Sequence, residues 1–271
     1  MDNFKLYKIR CLTNMHVGNG DASYTLIDNQ VQKDAITGFP VINSSSLKGS
    51  LKNFLGDKCD IDEINNIFGD NMEGIGQYKI FPGMLLSIPL RSNKKPFFRA
   101  TCPRIIKDFI DFVSNFQYRL DYMGDLEKIQ KLVGENKNSI SVIKCFNEDI
   151  EDDKDLRVEG FRSDLKDGLD IENNQKITSL FGENLIIVDD RTFLNIVSEL
   201  PIIARNKLDN GESENLWYEE IVPRETRFYF GVMCGKKHVN KFEKIKGHPI
   251  QIGGNATIGY GYCNITSINE K

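Results

Sequence analysis

Between Gly247 and Cys263 five glycines are spaced among alternating apolar residues, and no other stretch of the chain restricts the backbone as much. Glycine tolerates positive φ without steric cost and leaves no Cβ to hold a ligand away from the main chain. The pattern predicts a tight loop between two short strands. Successive N–H groups in such a loop form a concavity suited to an anion, phosphate above all. The spacing lacks the Gly-Lys-Ser/Thr of a Walker loop, and it does not open a helix after a strand as a dinucleotide fingerprint does. A ligand-free β-turn fits these residues equally well, so the loop alone does not decide function.

A second segment, Thr37–Leu55, adds the missing context. Phe39–Ile42 reads as a short strand running into a polar loop, and a helix is expected from about Ser45, with Leu47, Leu51, Phe54 and Leu55 at helical spacing. Ser44, Ser45 and Ser46 are good N-cap residues. Lys48 then places a cation in the first turn, against the helix dipole, an arrangement that makes sense where an anion binds. Read alone, Lys48 is equally well a solvated lysine.

The net charge of −4 argues at first against nucleic acid, but its distribution reverses that. Glu148–Glu172 holds 11 acids and 4 bases, so the rest of the chain carries about +3. Arg91–Lys107 has six bases and no acid, and Arg224–Lys246 has seven bases against two acids. Local basic stripes are what a phosphate backbone requires. With 40% apolar residues and 17 Phe, the 271 residues can build a substantial core. The six cysteines are scattered singly, which points to reduced core thiols in cytosol and away from zinc or a disulfide framework. The start of the chain does not read as a secretion signal. The longest apolar stretch, Met84–Leu90, is too short for a bilayer, so no membrane partner is expected.

Along the chain, strands are expected at Phe4–Asn14, Ile80–Leu90, Phe97–Thr101, Arg227–Cys234 and Gly261–Ile268. Tyr24–Ile27 is a short apolar run inside a loop from Gly18 to Lys33. Helices are expected from Pro103 to about Asn115, at Leu126–Val133, and from Asp190 through Leu200. Residues 120–184 are the least regular and read as an insertion. Asp209-Asn210-Gly211 is a hairpin turn signal. Trp217 and Tyr218 on its returning arm suit either a core or a projecting hairpin. Strand–helix–strand halves with added antiparallel strands fit an α+β, ferredoxin-like (RRM-type) sheet.

Taken together the two segments resemble the RAMP superfamily of CRISPR effector proteins, and within it the backbone subunit of the type III-B Cmr complex. The resemblance is carried by His16–Gly20, Ile27–Asp34, Thr37–Ile42, Ser46–Gly49, Phe98–Pro103, Pro201–Leu208, Asn215–Thr226 and Gln251–Gly259, in order along nearly the whole chain. One departure is Asn43-Ser44, where the family often has Pro-Gly. The resemblance implies one RAMP domain over residues 1–271. Its palm covers about 1–103 and 185–271, with an insertion at about 104–184 and a thumb hairpin at about 205–224.

The same resemblance implies the chemistry. Asp28 falls where the family's target-cleaving aspartate lies, and it would act as general base or hold a transient divalent cation, Mg²⁺ or Mn²⁺. Attack by a 2′-hydroxyl leaves a 2′,3′-cyclic phosphate. Guide-RNA contacts are expected from His16, Ser45, Ser46, Lys48, Lys52, Gly253, Gly254, Asn255 and Thr257. Thumb contacts are expected from Arg205, Lys207, Leu216, Trp217 and Tyr218. His16 is also an acid–base partner by residue type. The expected partners are guide crRNA, complementary target RNA, further copies of the chain in a filament, and other Cmr subunits, all in the cytoplasm. A non-catalytic RNA-binding subunit and a guide-processing endoribonuclease using His16 are the alternative readings.

Overall fold

The computed structural model describes residues 3–20, 26–70, 74–132, 140–143, 156–166, 171–210 and 212–269. The sequence expectations for Tyr24 and Thr25, for Val133 and for eight of the eleven acids of the acidic stretch lie outside them.

In chain order, the first third holds β1 (Phe4–Cys11), β2 (Val41–Ile42), α1 (Ser44–Gly56), α2 (Ile61–Phe68), β3 (Gly69–Asp70), β4 (Gly74–Ile75) and β5 (Lys79–Ile80). The middle holds β6 (Gly83–Leu90), β7 (Phe98–Thr101), α3 (Pro103–Asn115), α4 (Met123–Gln130), β8 (Ile140–Ile143), β9 (Arg157–Val158), β10 (Phe161–Lys166), α5 (Asn174–Phe181), β11 (Leu185–Val188) and α6 (Asp190–Ser198). The last part holds β12 (Ile202–Asp209), β13 (Glu212–Glu220), β14 (Arg227–Met233), α7 (Val239–Phe242), β15 (Pro249–Gln251) and β16 (Tyr262–Ser267). The fold is α+β, as the sequence pattern predicts.

The described residues form two compact units, residues 3–84 with 199–267 and residues 85–198 with Ile268 and Asn269. The first unit is built on an antiparallel sheet in the order β15–β16–β1–β14–β5. β1 sits inside it because its alternation is strong: Leu6, Tyr7, Ile9 and Cys11 are buried. Tyr7 stacks on Phe230 at 5.2 Å between ring centroids, and Phe242 joins Tyr7, Tyr78 and Phe68 in one aromatic cluster. α1 packs Leu47, Leu51 and Leu55 inward at four-residue spacing and leaves Phe54 half-buried. β2 pairs with the first two residues of β6, which fixes the entry into α1.

The second unit has a mixed sheet. β6 pairs β7 antiparallel, β7 pairs β11 parallel, and β8, β10 and β9 extend it beyond β11. Phe98, Phe109, Phe181 and Phe193 are fully buried there. α3 matches its sequence expectation, with Pro103 at the first helical position. α4 begins three residues earlier than the periodicity suggests, at Met123, because Gly124 is tolerated inside the first turn. α2, α5 and β11 were not foreseen. α2 is an eight-residue helix whose capping box, Asp60 with Glu63, is its sequence signal.

Candidate functional site

All the residues singled out for RNA contact or catalysis fall in the first unit. Three of its segments meet at the base of the β12–β13 hairpin: the loop 14–20, the strand-like run 27–33, and the glycine-rich loop after β15. The hairpin pairs Ile202 through Asp209 with Glu220 through Glu212, with Arg205 opposite Trp217 and a register shift between Lys207 and Leu208. The β-bridge between Asn29 and Glu219 lays the Asp28 segment along the outer edge of β13.

Asp28 is held from both directions by Tyr218. The Tyr218 N–H donates to Asp28 Oδ2 at 2.7 Å, and the Asp28 and Asn29 N–H groups donate to the Tyr218 carbonyl at 3.0 and 3.2 Å. One carboxylate oxygen is thereby fixed in an exposed position, and the other has no protein partner among the described residues. No three His, Cys, Asp or Glu side chains cluster so as to hold a metal among the described residues. A lone carboxylate still suits a magnesium-like ion, which is commonly held by one or two carboxylates together with substrate phosphates. The donor set therefore fits a cation recruited with RNA.

Beneath Asp28 lie two buried acids that the sequence reading missed. Glu219, 4% exposed, accepts from Arg205 Nε at 3.0 Å and from Asn255 Nδ2 at 2.8 Å. It thus ties the thumb strand β12 to the glycine-rich loop. Glu220, 2% exposed, accepts from the Val31 N–H at 3.1 Å and from Lys33 Nζ at 2.8 Å. Two adjacent acids on one strand normally face opposite sides and at least one meets solvent. Here both sides of the strand end are covered. The available signal was the run of two glutamates flanked by apolar residues and Pro223.

His16 is more enclosed than a groove residue would be. Its Nδ1 lies 2.7 Å from the Glu220 carbonyl oxygen, which can only accept, so Nδ1 carries the hydrogen. Its Nε2 then points toward Glu219 Oε1 at 3.9 Å. The His16 carbonyl accepts from the Gly254 N–H at 2.8 Å, and a Cβ on Gly253 would come within 2.3 Å of that same oxygen. Glycine is therefore required at 253, where φ is +88° as well. The loop continues through Asn255 in the left-handed region (φ 62°) and a 3₁₀ turn, Ala256–Ile258. The N–H groups of Gly254, Ile258, Gly259, Tyr260 and Gly261 are already spent on carbonyls of the fold. The loop is therefore less of a bare N–H cradle than its glycines suggest. Arg205 crosses above it, with its guanidinium 4.3 Å from the Tyr260 ring centroid. Thr257 is exposed.

Gln32 connects this junction to α1. Its side chain donates to the Gly18 carbonyl and to Ser46 Oγ, both at 3.0 Å, and accepts from the Asn43 N–H at 2.7 Å. α1 begins without a side-chain cap on Asn43 and without an acid in its first turn, leaving exposed Ser45 and Lys48 at its positive end. Lys52 is spent differently, on the Gly69 carbonyl at 3.0 Å. At the far end of the thumb, Lys207 pairs with Glu214. Leu216 and Tyr218 are 54% and 43% exposed, whereas Trp217 is half-buried.

A family model described as the RAMP superfamily matches residues 8–264. The chain belongs to the RAMP superfamily. Among curated RAMP relatives, it is 29% identical to the CRISPR system Cmr endoribonuclease Cmr4 of Pyrococcus furiosus, over 94% of this chain and 92% of that one. It is 24% identical to the CRISPR system CMR subunit Cmr4 of Saccharolobus solfataricus, over 98% and 97%. Among solved structures, the type III-B Cmr-beta complex in its apo state contains a chain of like fold, with TM-score 0.78, 23% identity and 98% of both chains covered. Oligomeric Cmr4 from Pyrococcus furiosus gives 0.71 at 24% identity, covering 99% and 98%. No helix among the described residues of this RAMP chain is long and apolar enough to cross a membrane.

Proposed function

We propose that this chain is a backbone subunit of a type III-B CRISPR–Cmr effector complex, which binds guide crRNA, stacks in several copies along it and cleaves complementary target RNA. The relatives support this by name: one is called an endoribonuclease, one solved structure is of oligomeric Cmr4, and a Cmr-beta complex bound to cognate target RNA contains a chain of like fold at TM-score 0.75. The sheet around β1 serves as a ferredoxin-like, RRM-type palm and the β12–β13 hairpin as the thumb. Copies joined head-to-tail without ring closure give a filament, with the subunits at work in the cytoplasm.

The observation that carries catalysis is the exposed Asp28 carboxylate, clamped by the Tyr218 amide at the foot of the thumb. A nucleotide kinked out of A-form pairing by the thumb can bring its 2′-hydroxyl in line with the adjacent phosphate. Asp28 accepts the hydroxyl proton as the 2′-oxygen bonds to phosphorus and the bond to the 5′-oxygen breaks, and the 5′-oxygen takes a proton from water, leaving a 2′,3′-cyclic phosphate and a 5′-hydroxyl. In place of that proton transfer, Asp28 with RNA phosphate oxygens would hold Mg²⁺ or Mn²⁺, which would neutralise charge at that phosphate. The clamp lowers the cost of ordering Asp28, because its position is set before RNA arrives. His16 serves to position this junction; its near-complete enclosure weighs against a guide-processing role.

Single-turnover cleavage by wild-type and Asp28→Asn assemblies on one guide and target tests the reading. Asparagine keeps an acceptor for the Tyr218 N–H, so assembly should persist while the rate falls by about a hundredfold or more. Cleavage at the wild-type rate would remove Asp28 from the chemistry and assign the cut to another group of the assembly.

A further inference from the structure

The far end of α1 carries a second basic feature, distant from Asp28 in the helix direction. Two residues beyond the helix, Lys58 folds back over the Phe54 ring, 4.8 Å from its centroid. Lys244 Nζ donates to the Lys58 carbonyl at 2.6 Å, and Lys246 and His248 follow at alternate positions. These four residues line an open cavity of about 410 Å³. No carboxylate is among them. Glu243, next to Lys244 in sequence, is taken up by Lys5, by Tyr7 Oη at 2.9 Å and by Lys246 at 2.7 Å. Glu63 is held by Lys241 at 3.0 Å, and its carboxylate also accepts the Asp60 N–H at 3.1 Å. Asp57 and Asp60 flank Lys58 in sequence and soften the charge without entering the lining.

Lys246 is balanced by Glu243, but Lys58 and Lys244 have no ion-pair partner among the described residues, so an anion entering the cavity would offset their charge. The volume exceeds what inorganic phosphate needs: at about 30 Å³ per water it is room for a dozen or more waters. A phosphate carried on a larger unit suits it better. We propose that this cavity is a second RNA-phosphate site, taking a phosphodiester of a strand whose other phosphates lie at the N-terminus of α1. The proposal rests on the RNA-binding reading above. At 1.5 Å per residue the two ends of α1 stand about 18 Å apart. A strand stacked as in a duplex, advancing about 3.4 Å per phosphate, spans that distance in roughly five nucleotides. An RNA of two or three nucleotides therefore reaches one end only, and a longer one reaches both.

The test is binding of a labelled single-stranded 20-mer RNA to the full chain across a salt series. Wild type is compared with Lys58→Gln/Lys244→Gln, with Lys58→Arg/Lys244→Arg, and with Lys48→Ala. Loss of two phosphate contacts should weaken binding about tenfold and lower the salt slope by about 1.4 for a single strand, and the arginine pair should restore both. A trinucleotide should bind wild type and the glutamine pair alike. Should the glutamine pair unfold, Lys58→Gln alone, which leaves the bond from Lys244 to the main chain in place, should lower the slope by about 0.7. Unchanged affinity and slope in the glutamine variants, with Lys48→Ala still weakened, would overturn the cavity site and leave the RNA-binding reading intact. A wild-type chain that binds no RNA brings down both readings.

Discussion

The base and the tip of the β12–β13 hairpin are made of similar residues in very different settings. At the base, Glu219 and Glu220 are buried and accept four hydrogen bonds, from Arg205, Asn255, Val31 and Lys33. At the tip, Glu212, Ser213, Glu214 and Asn215 are exposed, and Lys207 with Glu214 makes a solvated pair. Buried charges hold only if their partners are complete, whereas exposed pairs contribute little. The base is thus a joint that sets where the hairpin leaves the body and where Asp28 stands, with one buried nitrogen, Arg205 Nη2, left without a hydrogen-bond partner among the described residues. The tip is free to be shaped by what it meets.

Glu219→Ala should sharpen that contrast most. It strands Arg205 and Asn255, and removal of one partner from a buried ionic cluster costs about 3 kcal/mol. Glu219→Gln, which keeps an acceptor, should cost less. Urea unfolding curves measure both, and an alanine variant as stable as wild type would mean that the base is no joint. Lys8 gives the next largest effect, from a half-buried cation on β1. Burial first, then Arg227 and Arg10, lowers its pKa from 10.5 to about 8. Between those values the unfolded chain holds the proton and the folded chain does not, so this group makes stability rise with pH, by roughly 1 kcal/mol per unit at most. Below pH 8 the contribution is flat. Lys8→Met should erase that rise in the difference between the two unfolding profiles. An identical alkaline profile for the variant would contradict it.

Smaller effects belong to the exposed groups. Lys48→Ala should weaken RNA binding for all sequences alike and lower the salt slope by about one, with no loss of stability. An unchanged slope counts against a phosphate contact there. Deleting Leu208–Leu216 should move stability by no more than about 0.5 kcal/mol, as surface changes do. The regular spacing of target cuts should blur instead, and wild-type spacing from the deletion would dissociate the hairpin from the thumb role.

The same contrast explains what could be read from the chain alone. β1, α1, α3 and β14 were legible because each carries its own periodicity, and the hairpin because Asp209-Asn210-Gly211 announces its turn. Lys48 and the glycine-rich loop stood out as local patterns, and Asp28 only through the family resemblance. The junction that holds them was not. Glu219, Glu220 and Gln32 act through partners between 11 and more than 180 residues away, and a buried acid has no local pattern that separates it from a solvated one. α5 and β11 were missed for a related reason: Ile177, Leu180 and Phe181 in an eight-residue helix are too short a run to show a period.

One consequence follows from the way Asp28 is fastened. Its anchor is the main-chain N–H of Tyr218, and every residue but proline brings that group. Position 218 can therefore drift through evolution, or be randomised in a library, while Asp28 stays where it is. Proline alone would cut the tether. Selection for target cleavage from such a library should return nearly any side chain at 218, tuned only by what the exposed ring touches, with a single forbidden residue.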